Sequence, residues 1–306
     1  MGTIVTLTMN PALDIATSTD RVVPTHKLRC APPRYDPGGG GINVARAVHA
    51  LGGDAVAIFP VGGPAGEMIH HLLDQEGVRH HPIVIGGFTR ESLAVEDRQT
   101  GEQFRFILPG PVVGEADQER CLDQLSVVAA EADFIVASGS LPLGVPEDFY
   151  ARVAGLAQKL GKRLVLDTSG AALKRAGHGI YLLKPSLREL QELVGRRIGS
   201  PLEQERAARE IIEQGHSEIV VLSLGEEGAL LVSVGECERF AAVPVQARST
   251  VGAGDSMLAG IILSLTQGQP LREAVRFGLA AGAAALLGSG TELCRRSDVE
   301  RLYHPD

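Results

Sequence analysis

Short apolar runs recur along this chain with segments of helical character between them, and that rhythm narrows the fold more than any other feature. Residues 4–9, 55–59, 134–137, 163–167, 181–183 and 219–223 each read as a short buried strand. Helical candidates at 42–51, 67–75, 147–160 and 203–214 fall between them. Strands apolar on both sides need cover on both faces, and parallel neighbours need long crossovers, which the helices supply. The pattern predicts an α/β protein with a largely parallel central sheet between two helical layers. Its 306 residues suit one domain, 1–306, with a small appendage.

Two regions, about 15–36 and 88–108, break the rhythm. The first is rich in charge and proline; the second alternates like an exposed strand pair. In 103–107, Phe104 and Phe106 share one face while Gln103 and Arg105 take the other, and Thr100-Gly101 supplies the turn before them. A small sheet rising beside the main one accounts for both regions, as a lid or a surface for self-association, since an exposed strand edge needs cover.

Charge and cysteine usage exclude several function classes. With 29 basic and 37 acidic residues the net charge is -8, and aromatic residues are 4% of the chain. That balance is wrong for nucleic-acid binding, which draws its affinity from neutralising phosphates. A small anionic substrate still fits, because a pocket needs a few local cations. Cys30, Cys121, Cys237 and Cys294 are widely spaced with no C-x-x-C pair, which predicts neither zinc nor disulfides and a reducing, cytoplasmic setting. No uninterrupted apolar span of about 20 residues suggests a membrane segment, and 278–287 reads as a buried helix. His70-His71 and His80-His81 read as surface or helix-end histidines, since adjacent residues do not face one metal on a helix.

The strongest local sequence is Ser249-Thr250-Val251-Gly252-Ala253-Gly254-Asp255-Ser256. After it, Met257, Leu258, Ile261, Ile262 and Leu265 recur at helical spacing, so a helix should begin near Gly254 or Asp255. The first amides of a helix lack intrahelical partners and attract anions, and glycines let a phosphate approach the backbone. A carboxylate there can accept the proton of an attacking hydroxyl. Taken alone, the run also fits a glycine turn and an Asp helix cap. It lacks the Lys-Ser or Lys-Thr ending of a P-loop.

Further motifs accompany it in order: Leu7-Thr8-Met9-Asn10-Pro11-Ala12-Leu13-Asp14, Lys27-Leu28-Arg29-Cys30, and Pro37-Gly38-Gly39-Gly40-Gly41-Ile42-Asn43-Val44-Ala45-Arg46. Ser138-Gly139-Ser140-Leu141-Pro142, Lys184-Pro185 and Ser223-Leu224-Gly225 complete the set. Together they resemble the ribokinase-like, PfkB-type sugar kinases over nearly the whole chain, in the sugar-phosphate branch of the minor bacterial 6-phosphofructokinases. The resemblance implies a three-layer α/β sandwich with a small β-sheet lid, often shared across a homodimer. It implies Asp255 as general base and Gly252, Ala253 and Gly254 as anion hole. ATP with magnesium would lie by Lys184, Ser186, Ser223 and Gly225. Asp14, Gly39, Asn43 and Ser138 would hold the sugar, and Lys27, Arg90 and Arg105 a phosphate already on it.

Two positions depart from the family pattern. The Asn-x-x-Glu element associated with magnesium is Ser186-Leu187-Arg188-Glu189 here, so Glu189 keeps its place, with the metal reached directly or through water. Ser249 stands where many relatives carry Asp. Potassium is implied near Ser249, Val251 and Gly290 in the loop 288–290, where Glu292 adds a negative charge. The activity implied is ATP-dependent phosphorylation of fructose 6-phosphate to fructose 1,6-bisphosphate. Tagatose 6-phosphate kinase, 1-phosphofructokinase and a non-catalytic sugar-phosphate sensor remain as alternatives.

Overall fold

The structure, a computed structural model, describes residues 2–288 and 290–304. The first half of the chain runs β1 (Thr3–Leu7), β2 (Ala12–Thr19), β3 (Arg34–Gly38), α1 (Gly40–Ala50), β4 (Ala55–Val61), α2 (Gly63–Glu76), β5 (Arg79–Val84), β6 (Arg90–Asp97) and β7 (Gln103–Ile107). The second half runs α3 (Glu115–Ala129), β8 (Ala132–Ser138), α4 (Phe149–Lys159), β9 (Arg163–Asp167), α5 (Gly170–Lys174), β10 (Ile180–Leu183), α6 (Leu187–Val194), α7 (Pro201–Glu213) and β11 (Ser217–Ser223). The hairpin β12 (Ala229–Ser233) and β13 (Cys237–Phe240) follows, then α8 (Ala253–Thr266), α9 (Leu271–Leu286) and α10 (Arg296–Tyr303).

Nine strands form the main sheet, in the order β13-β12-β11-β10-β9-β8-β1-β4-β5. From β11 to β5 all neighbours are parallel, and β12 and β13 add an antiparallel margin that the apolar rhythm did not announce. Successive side chains of a strand point to opposite faces. Accordingly Ile4 joins the core beneath α1, α2, α8 and α9, while Val5 and Leu7 join the core beneath α3, α4, α6 and α7. The result is the expected α/β/α sandwich. Helices α8 and α9 approach so closely that a Cβ on Gly278 would stand 2.7 Å from the Met257 carbonyl oxygen.

The second sheet has the order β3-β2-β6-β7 and is made of the two regions that broke the rhythm. Its β6–β7 turn is held by Asp97, whose Oδ1 accepts the N–H groups of Gln99 (2.9 Å) and Thr100 (3.1 Å). Phe106 and Ile107 on β7 are exposed. In the main sheet, β1 lies between β4 and β8, so the chain leaves it toward both sides. A crevice opens at such a reversal, outside the carboxyl ends of the strands. Among the described residues, no helix is long and apolar enough to cross a membrane.

Candidate active site

Helix α8 begins where the sequence predicts, and Gly252 makes that start possible. Gly252 is left-handed (φ 74°), a conformation that strains any residue with a Cβ. Ala253, Gly254 and Asp255 then form the first helical turn, whose amides have no intrahelical partners. Asp255 accepts a 2.9 Å hydrogen bond from Asn43 Nδ2, which α1 carries across from the other end of the sequence. Gly39 (φ 111°) sits just before α1, packed so tightly that a Cβ would approach the Pro11 Cα to 3.2 Å.

These elements border a cavity of about 610 Å³ lined by Asp14, Gly39, Asn43, Arg90, Arg105, Val251, Gly252 and Asp255, together with Asn10, Ser92 and Ser140. That is the volume of a small-molecule site. Arg90 is aimed by three contacts: its guanidinium donates to the Asn10 side chain (3.1 Å), the Asn10 carbonyl (3.1 Å) and Ser92 Oγ (3.1 Å). Burial pushes Arg90 below its usual value, and the nearby Asp14 resists this. Asp14 is pushed up to about 6 by burial, against the pull of Arg90 and Arg105.

The other flank of Asp255 is built from the ends of β9 and β10. Lys184 Nζ lies 3.0 Å from Asp167 Oδ2, and both residues are largely enclosed. A Cβ placed on Gly254 would sit 3.5 Å from that ammonium, so the lysine borders the start of α8. Burial pushes Lys184 down, but Asp167 outweighs it and holds the lysine above its usual value. Burial raises Asp167 in turn, with Lys184 opposing. Asp255 is lifted to about 6 by burial first and by the charge of Asp167 next, while Asn43 and Lys184 pull it down.

Ser186 and Ser223 bridge the ends of β10 and β11, and Gly225 opens the turn that follows β11. Ser186 and Glu189 prove to be a reciprocal helix cap. Ser186 Oγ accepts from the Glu189 N–H (3.3 Å), and Glu189 Oε2 from the Ser186 N–H (2.8 Å). Ser-x-x-Glu before an apolar run is a legible signature of such a box, and it explains how Ser is accommodated at 186. Ser249 donates to the Gly290 carbonyl (2.6 Å) and accepts from the Val251 N–H (3.2 Å), so the three residues implied for potassium do meet. Ser289, in the same loop, lies outside the described residues. The charge of Glu292 is met by Arg34 (2.7 Å) and Arg295 (3.1 Å).

Two expected substrate contacts, Lys27 toward the phosphate and Ser138 toward the sugar, do not line the cavity in this chain. Lys27 is exposed on the loop between β2 and β3, and Ser138 is buried at the end of β8. Ser140 borders the cavity instead, held by Asn10 Nδ2 (3.1 Å). Residue typing also missed Asp167, Asn10 and a polar network at the root of the second sheet. There, buried Asp36 accepts from Arg34 (2.8 Å), Arg46 (3.5 Å) and Thr291, and Arg46 grips Glu76 with two bonds of 2.6 and 2.7 Å.

A polyol-sized cavity carrying two arginines meets a lysine and a helix N-terminus at one carboxylate, in a ribokinase-like sandwich with a lid sheet. That combination defines a kinase of small sugars or their phosphates. The model of the pfkB family of carbohydrate kinases matches residues 7–298, and the chain belongs to that family. It is 53% identical over 300 residues to ATP-dependent 6-phosphofructokinase isozyme 2 of Mycobacterium tuberculosis, covering 98% of this chain and 88% of the relative. Phosphofructokinase-2 from Escherichia coli in complex with potassium superposes with a TM-score of 0.95 at 44% identity, covering 99% of this chain and 98% of that one.

One expectation is corrected. The lid was expected to serve a homodimer, but the inhibited form of Escherichia coli phosphofructokinase-2 is tetrameric (TM-score 0.93, 43% identity, 99% and 98% coverage). An exposed apolar strand such as β7 shows that a surface gains from cover, and says nothing of how many copies supply it.

Proposed function

We propose that the chain transfers the terminal phosphoryl group of ATP to the free primary hydroxyl of fructose 6-phosphate, giving fructose 1,6-bisphosphate and ADP. The observation that carries this reading is the position of Asp255, between the cavity of Asp14, Arg90 and Arg105 and the Lys184 flank of α8. The 6-phosphofructokinase named above supports the choice of sugar. In this reading Arg90 and Arg105 hold the phosphate already on the sugar, and Asp14, Gly39 and Asn43 orient its hydroxyls.

Asp255 takes the proton as the hydroxyl oxygen bonds to phosphorus and the bond to the ADP oxygen breaks. A carboxylate raised to about 6 is ionised at neutral pH yet more basic than an ordinary one. The amides of residues 252–254 and the positive end of α8 meet the charge developing on the phosphoryl oxygens. Lys184 adds a fixed cation on the ATP side, with Ser223 and Gly225 bordering the nucleotide. Magnesium would arrive with ATP and supply further neutralisation, and Glu189 and Asp167 are the carboxylates on that flank that would hold it. Potassium, present in the Escherichia coli complex, would take oxygens from Ser249, Val251 and Gly290 here. The domain is read as one kinase unit, 1–306, whose lid segments close over the sugar and exclude water that would hydrolyse ATP.

The test is ADP release coupled to product mapping across fructose 6-phosphate, tagatose 6-phosphate, fructose 1-phosphate and free fructose. The reading expects the highest kcat/KM with fructose 6-phosphate and phosphate added at its primary hydroxyl. Preference for another sugar phosphate overturns the substrate, and binding without phosphorylation of any overturns the activity.

A further inference from the structure

Away from the cavity, the folded chain assembles a group that sequence spacing does not bring together. His70 and Asp74 lie four residues apart on α2, so they share one face. Gly77, left-handed at φ 72°, turns the chain back, and β5 returns His80 to that face. One ligand atom from each of the three residues lies within 4.8 Å of the others. His70 Nδ1 is 2.6 Å from His80 Nε2, a hydrogen bond that a bound ion would replace, and the Asp74 carboxylate is 3.6 Å from His70 Nε2, the other ring nitrogen, and 3.8 Å from His80 Nε2. His70 is a surface histidine as expected, but the fold sets it beside His80, which is largely enclosed.

His80 is prepared as a ligand. Its Nδ1 lies 2.8 Å from the Val78 carbonyl, which can only accept, so the proton sits on Nδ1 and Nε2 presents a lone pair. A backbone carbonyl on the far nitrogen is how a ligating histidine is usually oriented. Stacking on Phe59 (6.0 Å, 19°) fixes the ring, and its side chain is 5% exposed. His70 and Asp74 are exposed and free to adjust. To bind Zn²⁺ both would have to turn until one donor of each stands roughly 2.0–2.2 Å from the ion.

We infer that His70, Asp74 and His80 form a binding site for a divalent transition metal ion, Zn²⁺ being the one matched to two imidazoles and a carboxylate with water completing the shell. Two nitrogen donors make the site a poor one for Mg²⁺, so the magnesium of a kinase reaction does not compete for it. The ion ties the last turns of α2 to β5, the edge strand of the main sheet.

Tag-free full-length protein, stripped with chelator, is titrated with Zn²⁺ by calorimetry and with Co²⁺ by visible absorption, and melted with and without Zn²⁺. Wild type should bind one Zn²⁺ per chain at this site, develop the Co²⁺ ligand-field bands, and melt at a higher temperature with Zn²⁺. His70→Ala and Asp74→Ala, both at exposed positions, should each weaken binding by about tenfold or more and abolish the rise in melting temperature. His71→Ala, next in sequence but bonded to Gln75, should match wild type. Unchanged Zn²⁺ affinity and melting shift in both the His70 and Asp74 variants would overturn the site, as would absence of Co²⁺ bands in wild type.

Discussion

Replacing Asp255 with Asn should nearly abolish turnover while making the protein more stable, and the structure sets the size of both effects. Loss of a general base lowers kcat by about 10²–10⁴-fold. The stability gain follows from linkage. The Asp255 carboxyl is raised from 3.8 to about 6, so between those values the folded state binds a proton that the unfolded state has released. Stability therefore falls as pH rises through that window. A shift of this size corresponds to about 3 kcal/mol once the native carboxyl is fully ionised. This is an upper figure, because Asp255 borders an open cavity where water screens it. Asn keeps an oxygen to accept from Asn43 and carries no charge. Urea unfolding of both proteins at pH 8 and pH 5 reads the term, since titrations of groups not coupled to Asp255 cancel in the difference, leaving Asp14, Asp167 and Lys184 as the neighbours that also respond. The variant should lead by up to about 3 kcal/mol at pH 8 and by roughly half of that at pH 5. A gap that is absent at pH 8, or that does not shrink on acidification, would refute the argument from burial.

Asn43→Ala removes a hydrogen bond to the ionised form of Asp255, and the acid limb of kcat should move up by about one pH unit; a limb left at its wild-type position would dissociate Asn43 from the base. Lys184→Met leaves Asp167 buried and unpaired, and urea unfolding should show a loss of about 3–5 kcal/mol. Adding Asp167→Asn should restore much of that stability but not the KM for ATP, a split that steady-state kinetics reads directly. Arg105→Ala should raise the KM for fructose 6-phosphate by about tenfold or more, the scale of a lost charged contact, and leave that for ATP near wild type.

What could be read in advance depended on whether a signal was local. The glycine run, the start of α8 and its apolar face lie within 17 residues, from 249 to 265, and a helix either fits that spacing or does not. The parallel strands were legible for a similar reason, because burial on both faces writes itself into each short run. The β12–β13 hairpin was not, since an antiparallel margin needs no crossover helix to mark it. Contacts between distant segments were beyond spacing. Asn43 reaches Asp255 across 212 residues, and the polar chain from Glu76 through Arg46 and Asp36 to Arg34 and Glu292 joins four separate segments. Asp167 was visible as the charged end of an apolar strand. Its importance comes from Lys184, which the adjacent strand β10 delivers beside it.

The placement of charge suits Asp255 to the role of base proposed for it. Asp255 stands between two flanks, each with its own acid and its own cations: Asp14 with Arg90 and Arg105, and Asp167 with Lys184. Burial and the two acids lift the Asp255 carboxyl to about 6, with Asn43 and Lys184 partly offsetting them. Each substrate in the proposed reaction brings a phosphate to one flank, the sugar phosphate to Arg90 and Arg105 and the nucleotide to Lys184. Once Lys184 faces phosphate it would lower the Asp255 pKa less, and lid closure would remove water from around it. Both changes push the carboxyl up. The base is therefore weakest in the open enzyme, where a strong one would achieve nothing, and strongest when hydroxyl and phosphoryl group are both in place. In the proposed reaction Lys184 would thus do more than bind an anion: it would couple occupancy of its flank to the basicity of Asp255.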